Sequence, residues 1–198
     1  MTLLTQVFAY GSLVGRRSRD FIAEATPATL EGWNRSWSHG IRTKRGNVCA
    51  LTVVSKPQSM LRGVVLQCDK ATLRTLDKRE DGYSRKEVNV VLDTGHRSRS
   101  WLYVGRRDRR VDGEDGYSIW MSYLLVVLAG YLELGGPRAL QDFYGTTVGW
   151  NMPVEHDERE PKYTRAFRLK PGERAQIRRF LSSRGIKYGG GKASAGSA

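Results

Sequence analysis

The chain has 198 residues, 39% of them hydrophobic and 27% charged, and its 33 Lys and Arg against 20 Asp and Glu give a net charge of +13. That length suits one domain with a sizeable core, and the apolar fraction excludes a disordered polyelectrolyte. Two cysteines, Cys49 and Cys68, without CxxC spacing or a nearby histidine, imply neither a disulfide framework nor a zinc module.

The N-terminal MTLLTQVF has no basic flank, long apolar segment or small-residue cleavage site, so it reads as the start of a strand, with the cytoplasm as the expected location. Residues 6–10 form a short apolar strand that runs into Gly11-Ser12-Leu13. There a residue without Cβ lets the chain turn sharply or bring its N–H groups close to a ligand. Residues 16–25 predict a helix with Phe21 and Ile22 inward, stopped by Pro27. The chain from 28 to 68 is strand-like in three segments, 28–33, 48–54 and 60–66, separated by turn residues, and reads as a β-meander.

Asp69 is placed to cap a helix over 70–79, with Leu73 and Leu76 on one face, so that Glu80 follows the helix end. Strands are expected over 85–92, where Val88, Val90 and Leu92 alternate, and over 99–104, where Trp101 and Tyr103 share a face. A basic, turn-rich loop at 105–116 leads to an apolar helix at about 118–134. This helix falls short of the roughly 18 uninterrupted apolar residues a membrane span needs and reads as a buried core helix. Gly135-Gly136-Pro137 stops it and starts another through Tyr144. Residues 172–184 form a basic amphipathic helix with Ile177, Phe180 and Leu181 inside, and the Gly/Ser/Ala-rich stretch 187–198 is expected to be a disordered tail on a single domain, 1–186.

The positive charge is scattered over Arg16, Arg17 and Arg19, 42–45, 97–110 and 174–184. Such a balance suits a polyanionic partner, but no RRM-type aromatic signature or zinc finger accompanies it. Solvated surface charge is the simpler reading, and a nucleic-acid partner is not excluded.

Several short stretches, in order, carry more information together than singly. They are Tyr10-Gly11-Ser12-Leu13; Leu76-Asp77-Lys78-Arg79-Glu80-Asp81-Gly82-Tyr83; and Trp101-Leu102-Tyr103-Val104. They continue with the helix 122–130 followed by Gly135-Gly136-Pro137, and end with Glu160-Pro161-Lys162-Tyr163. Over residues 6–168 this combination resembles the γ-glutamylcyclotransferase family, whose relatives include the glutathione-specific ChaC enzymes and the AIG2-like proteins.

The resemblance implies an α+β fold, a small mixed β-barrel flanked by helices, with a pocket at one barrel edge. It also implies a reaction in which the α-amine of a γ-glutamyl amide attacks its own γ-carbonyl, giving 5-oxoproline and a released amine. Such chemistry uses no protein nucleophile, metal or cofactor. Its partner is a small-molecule γ-glutamyl substrate, with no membrane involved.

By motif match Glu80 is the general acid/base, to be desolvated by aromatic neighbours such as Tyr83 or Tyr103. Tyr10, Gly11, Ser12 and Leu13 are the loop that holds the glutamyl group with backbone N–H donors, and Tyr103 and Tyr163 line the pocket. Arg85 has the chemistry to grip a carboxylate, with only its nearness to Glu80 in its favour.

Two departures leave the released amine open. Lys78-Arg79-Glu80-Asp81 stands where the ChaC branch has Tyr-Arg-Glu, and Gly-Ser-Leu stands where the γ-glutamyl-amino-acid branch has Gly-Ser-Asn. A ligand-binding or biosynthetic member of the fold and a basic nucleic-acid module are the alternatives, and the sequence leaves oligomeric state open.

Overall fold

The computed structural model describes residues 4–19, 21, 22 and 24–188, and its frame is a closed five-stranded barrel. Strand β1 (Thr5–Ala9) is followed by two 3-10 turns, Ser12–Val14 and Arg16–Ser18. Two long strands come next, β2 (Ala25–Thr43) and β3 (Gly46–Cys68). Helix α1 (Lys70–Arg79), β4 (Tyr83–Leu92) and β5 (Arg97–Gly105) complete the ring. Beyond it lie β6 (Ile119–Trp120), α2 (Met121–Gly145), β7 (Thr147–Val148), β8 (Val154–Glu155) and α3 (Pro171–Ser183).

β1 lies antiparallel to β3, with Phe8 opposite Val65, and parallel to β5, with Phe8 opposite Leu102. The antiparallel pairs β5–β4, β4–β2 and β2–β3 close the ring, which leaves no free edge within it. β7 adds to β2 outside the ring, and β6 pairs with β8 as a separate ribbon. Closure requires β2 and β3 to bend. Register shifts between Glu31 and Trp33 and between Trp37 and His39, with Gly32 at φ +80°, supply the bulges that bend them. Phe8, Leu30, Leu61, Val65, Leu66 and Leu102 are all buried in the resulting core.

The mixed α+β barrel expected from the family resemblance is therefore the fold observed. Asp69 caps α1, accepting from the Thr72 N–H at 2.7 Å. Gly135 and Gly136 interrupt α2 with non-helical backbone and Pro137 restarts it, as the sequence predicts. Its apolar first half packs into the core, where Met121, Leu124, Val127, Leu128 and Tyr131 are fully covered. Among the described residues no helix is long and apolar enough to cross a membrane. Pro171 begins α3, the Glu173 carboxylate accepts from the Lys170 N–H at 2.8 Å, and Ile177, Phe180 and Leu181 face inward.

Two local expectations are corrected. The helix read over 16–25 is a single 3-10 turn, Arg16–Ser18, and Pro27 lies inside β2 rather than ending a helix. Ile22 is buried as expected, but Phe21 is 41% exposed, while residues 20 and 23 lie outside the described residues. The ladder of β2 against β3 takes over at Ala25, opposite Leu66, and so claims the end of this segment. The three strand segments read between 28 and 68 are two continuous strands, because residues taken for turns lie within the ladders: Asn34 is buried and accepts from Ser59 Oγ, Lys56 and Pro57 stay exposed within β3, and Gln58 is absorbed as an irregularity at φ +64°. The tail expected over 187–198 lies outside the described residues from 189 onward.

Arg35 on β2 is the most consequential buried polar residue, with no measurable exposure. Its Nε donates to the Tyr10 carbonyl at 3.0 Å, one Nη to Thr146 Oγ1 at 2.6 Å, and the other to the Arg62 carbonyl. The Tyr131 hydroxyl sits among these donors, 2.8 Å from the Tyr10 carbonyl, and the guanidinium lies 4.6 Å from the Tyr131 ring centroid. Burial pulls its pKa down, opposed by the Tyr131 and Tyr10 oxygens and by Asp142 at longer range. One side chain thus fastens the end of β1, the middle of β3 and the end of α2.

Arg35→Ala leaves the Tyr10 and Arg62 carbonyls without this donor and opens a hole in the core. The expected loss is about 3–5 kcal/mol in urea-unfolding free energy, and a loss under about 1 kcal/mol would contradict the role given to this residue.

Candidate active site

The site is built where β1 leaves the barrel. Tyr10 and Gly11 end the strand, and the turn Ser12–Val14 closes with Val14 N–H on the Gly11 carbonyl at 3.1 Å. A first turn of this kind leaves the Ser12 and Leu13 N–H groups without acceptors inside the helix. The turn is held against α2 by bare backbone. A Cβ on Gly15 would come within 2.9 Å of Gly130 Cα, and one on Gly130 within 2.6 Å of Gly15 N. Glu133 of α2 adds a carboxylate acceptor for the Arg16 N–H at 3.2 Å.

Gly11 has a different reason to be glycine. Its φ of −115° is open to any residue, and a Cβ there would meet Tyr123 Oη at 3.7 Å, an ordinary contact. The neighbouring protein atoms tolerate a methyl group at this position. What glycine leaves open is the space in front of the loop.

Glu80 arrives from the other side, as the residue on which α1 ends. Its N–H still bonds the Leu76 carbonyl at 2.8 Å, while its φ of −99° and ψ of 36° take it out of the helix. Gly82, at φ +131°, turns the chain so that Tyr83 can enter β4. The Glu80 side chain is 19% exposed and its Oε1 lies 3.3 Å from Arg79 Nε. Burial raises its pKa, opposed first by Arg79 and then by Arg165.

Between the loop and Glu80 lies a pocket of about 420 Å³, its open mouth included. Of the residues expected at the site, Tyr10, Gly11, Ser12, Leu13, Glu80 and Tyr103 all line it. Tyr163 stands one layer behind. Its hydroxyl donates to Ser12 Oγ at 3.3 Å, and its ring packs edge-on against Tyr123 at 5.0 Å. Arg85 lies outside, with Asp77 at 3.5 Å and the Trp101 ring at 5.2 Å.

The tyrosine hydroxyls are mostly committed to the protein. Tyr10 donates to the Tyr103 carbonyl at 2.7 Å and Tyr103 to Asp77 Oδ1 at 2.7 Å. Tyr83 donates to the Leu51 carbonyl at 2.8 Å, and the Leu51 N–H donates to Tyr123 Oη at 3.4 Å. Burial raises all four phenol pKa values, so these rings stay neutral and present an apolar wall to Glu80. Tyr83 is beside Glu80 as the sequence suggested.

Arg79, Leu51 and Tyr123 are site residues that sequence reasoning missed. Arg79 joins the two halves of the site. Besides Glu80 it reaches Ser12 Oγ at 2.9 Å and the Ser18 carbonyl at 3.0 Å. Ser12 Oγ therefore accepts from both Arg79 and Tyr163, which leaves its own hydrogen to donate. Adjacency to Glu80 was a usable signal for Arg79. Leu51 takes part through its backbone and Tyr123 reads as an ordinary core residue of a long helix, so neither carries a signal.

A family model described as "Gamma-glutamyl cyclotransferase, AIG2-like" matches residues 7–121. Over 60 residues the chain is 35% identical to "Putative gamma-glutamylcyclotransferase MJ1514" of Methanocaldococcus jannaschii, a match covering 29% of this chain and 50% of that one. The chain thus spans about half the length of that curated relative. Among solved structures it is similar to the human protein loc79017, with a TM-score of 0.60 at 19% identity, covering 88% of this chain and 98% of that one. It is also similar to a "Gamma-glutamyl cyclotransferase", with a TM-score of 0.59 at 18% identity, covering 89% and 99%. At such identities these two likenesses establish the fold.

The raised pKa of Glu80 has a signed effect on stability. A carboxyl group that binds its proton more tightly folded than unfolded contributes stability below its unfolded pKa, and that contribution is lost as pH rises through the folded value. At pH 8 the folded protein therefore holds a buried carboxylate at a cost. Glu80→Gln is expected to be at least as stable as the parent at about pH 8, with any advantage gone near pH 3. A clearly lower unfolding midpoint for the variant at pH 8 would show that the ion pair with Arg79 outweighs burial.

Proposed function

The chain belongs to the gamma-glutamyl cyclotransferase, AIG2-like family, and on that premise we propose that it cyclises γ-glutamyl amides to 5-oxoproline with release of an amine. The observation that carries this reading is Glu80, a desolvated carboxylate that faces a glycine-bearing loop across a small pocket walled by neutral tyrosines.

The chemistry needs a base first. The substrate's α-amine is an ammonium near neutral pH and becomes a nucleophile only after losing a proton. Glu80, with its pKa raised toward working pH, takes that proton. The freed nitrogen attacks the γ-carbon of the same molecule, the bond from that carbon to the amide nitrogen breaks, and the departing nitrogen takes both the proton held by Glu80 and the second proton that the attacking nitrogen sheds, leaving as an ammonium. No water is consumed. Both reacting atoms belong to one molecule, so the pocket's main task is to hold the glutamyl chain curled.

As the ring closes, charge gathers on the γ-oxygen. In this reading the Ser12 and Leu13 N–H groups and the Ser12 hydroxyl, on residues that line the pocket, supply the donors that meet it, and fixed donors in a water-poor site lower such a barrier by several kcal/mol. Gly11 leaves room for the oxygen to come close. Arg79 keeps Glu80 and Ser12 in register, and its attraction prevents burial from raising the Glu80 pKa further.

The first measurement is 5-oxoproline release from γ-glutamyl-alanine, γ-glutamyl-ε-lysine and glutathione. Glu80→Gln is expected to lower turnover about 10²–10⁴-fold with the fold intact, and undiminished turnover would remove Glu80 from the mechanism. Activity should also fall on the acid side as Glu80 takes up its proton, at a pH above the ordinary carboxylate range. Arg79→Gln should move that acid limb to higher pH, because it removes the attraction that favours the carboxylate. A limb that stays in place would show that another group titrates there.

A further inference from the structure

We propose that the cavity behind Tyr163 is a subsite for an anionic released amine, one bearing a carboxylate or phosphate group on its side chain in addition to the α-carboxylate that any released amino acid carries. The proposal rests on the cyclotransferase reading, and it supplies the substrate class that the sequence leaves open.

The cavity is distinct from the pocket at Glu80 and larger, about 1410 Å³ with its mouth included. The two share a wall. Tyr163 lines the cavity with its ring and reaches Ser12 of the pocket with its hydroxyl, and its N–H donates to Ser122 Oγ at 3.1 Å. Ser122 faces the cavity while its neighbour Tyr123 faces the pocket. An amide held with its γ-carbonyl at the loop would carry its released half past this wall.

The charge around the cavity has one dominant sign. Arg45, Arg159, Arg168, Arg174 and Arg178 line it, and Glu158 is the single carboxylate among the lining residues. Arg45 already donates to the Pro161 and Lys162 carbonyls at 3.3 Å, and the excess of positive charge around the concavity favours an anion while the walls focus the field. Every one of these cations is arginine, whose planar fork pairs with carboxylate and phosphate through two parallel hydrogen bonds. Arg168 precedes α3 and Arg174 lies in its first turn, so both project from a segment anchored by the buried Leu169 and Ile177. Arg165, on the same segment, already acts electrostatically on Glu80, which places this basic segment within range of the reaction centre.

The test compares kcat/KM for 5-oxoproline release from γ-glutamyl-glutamate, γ-glutamyl-phosphoserine, γ-glutamyl-alanine and γ-glutamyl-ε-lysine, in the parent and in the Arg168→Gln/Arg174→Gln double variant. At least one acidic substrate is expected to exceed γ-glutamyl-alanine by about tenfold or more, with γ-glutamyl-ε-lysine the poorest. The better of the two acidic substrates identifies carboxylate or phosphate as the group bound. That advantage should shrink in the double variant and with added salt. Equal rates across the panel, or an advantage that survives the double substitution, would overturn the proposal.

Release from none of the substrates would count against the cyclotransferase reading instead. The cavity is then tested by itself, by calorimetric titration with inorganic pyrophosphate. Binding weakened tenfold or more in the double variant supports an anion subsite, and equal or absent binding overturns it.

Discussion

The buried guanidinium of Arg35 is the constraint from which the site takes its shape. A cation without exposure must have every donor satisfied, and here the acceptors are the Tyr10 and Arg62 carbonyls, Thr146 and the Tyr131 hydroxyl. These oxygens come from the end of β1, from β3, from Tyr131 in the first half of α2 and from Thr146 at its C-terminal end. Folding must bring all of them to one point before the charge is tolerable, so the position of Tyr10 is fixed from behind. The residues that follow it, Gly11 to Leu13, are consequently presented by a stationary support.

The opposite side of the pocket has a softer support. Glu80 ends a ten-residue helix with one fully buried residue, Leu76, and it is Arg79 that ties this end to Ser12 and Ser18 of the loop. The carboxylate and the loop across the pocket are therefore joined by a single side chain. That arrangement fits a group whose ionised form is unfavourable where it sits, since the same arginine orients the carboxylate and offsets part of its desolvation.

Elements with strong local signals were legible in the sequence. The capped helix before Glu80, the Gly-Gly-Pro break in α2 and the inward face of α3 follow from capping, backbone and periodicity rules, and the structure has them at nearly the predicted residues. The short motifs that carry the family resemblance found most of the pocket, because they sit where backbone geometry demands particular residues. What was not legible depends on distant partners. Arg35 and His39 carry no local signal, since nothing nearby in the chain reveals the oxygens around Arg35 or the Tyr83 ring 4.1 Å from His39. The end of the segment after Gly15 read as helix because the β3 partner of Ala25, Leu66, lies some forty residues away.

The place of β1 in the ring has a consequence for how the protein comes together. It is the first strand in the chain, yet its two neighbours are β3 and the last strand of the barrel, β5, to which it runs parallel. The hydrogen bond from Tyr10 to Tyr103 spans 93 residues, and the contact of Gly15 with Gly130 spans more. Contacts of such high sequence separation form slowly, since a long loop must close before they contribute. During synthesis the first strand must wait for over half of the chain to emerge, with β3 its only earlier partner. The pocket is assembled at the seam where the oldest and newest parts of the barrel meet, so its completion reports that the whole ring has closed.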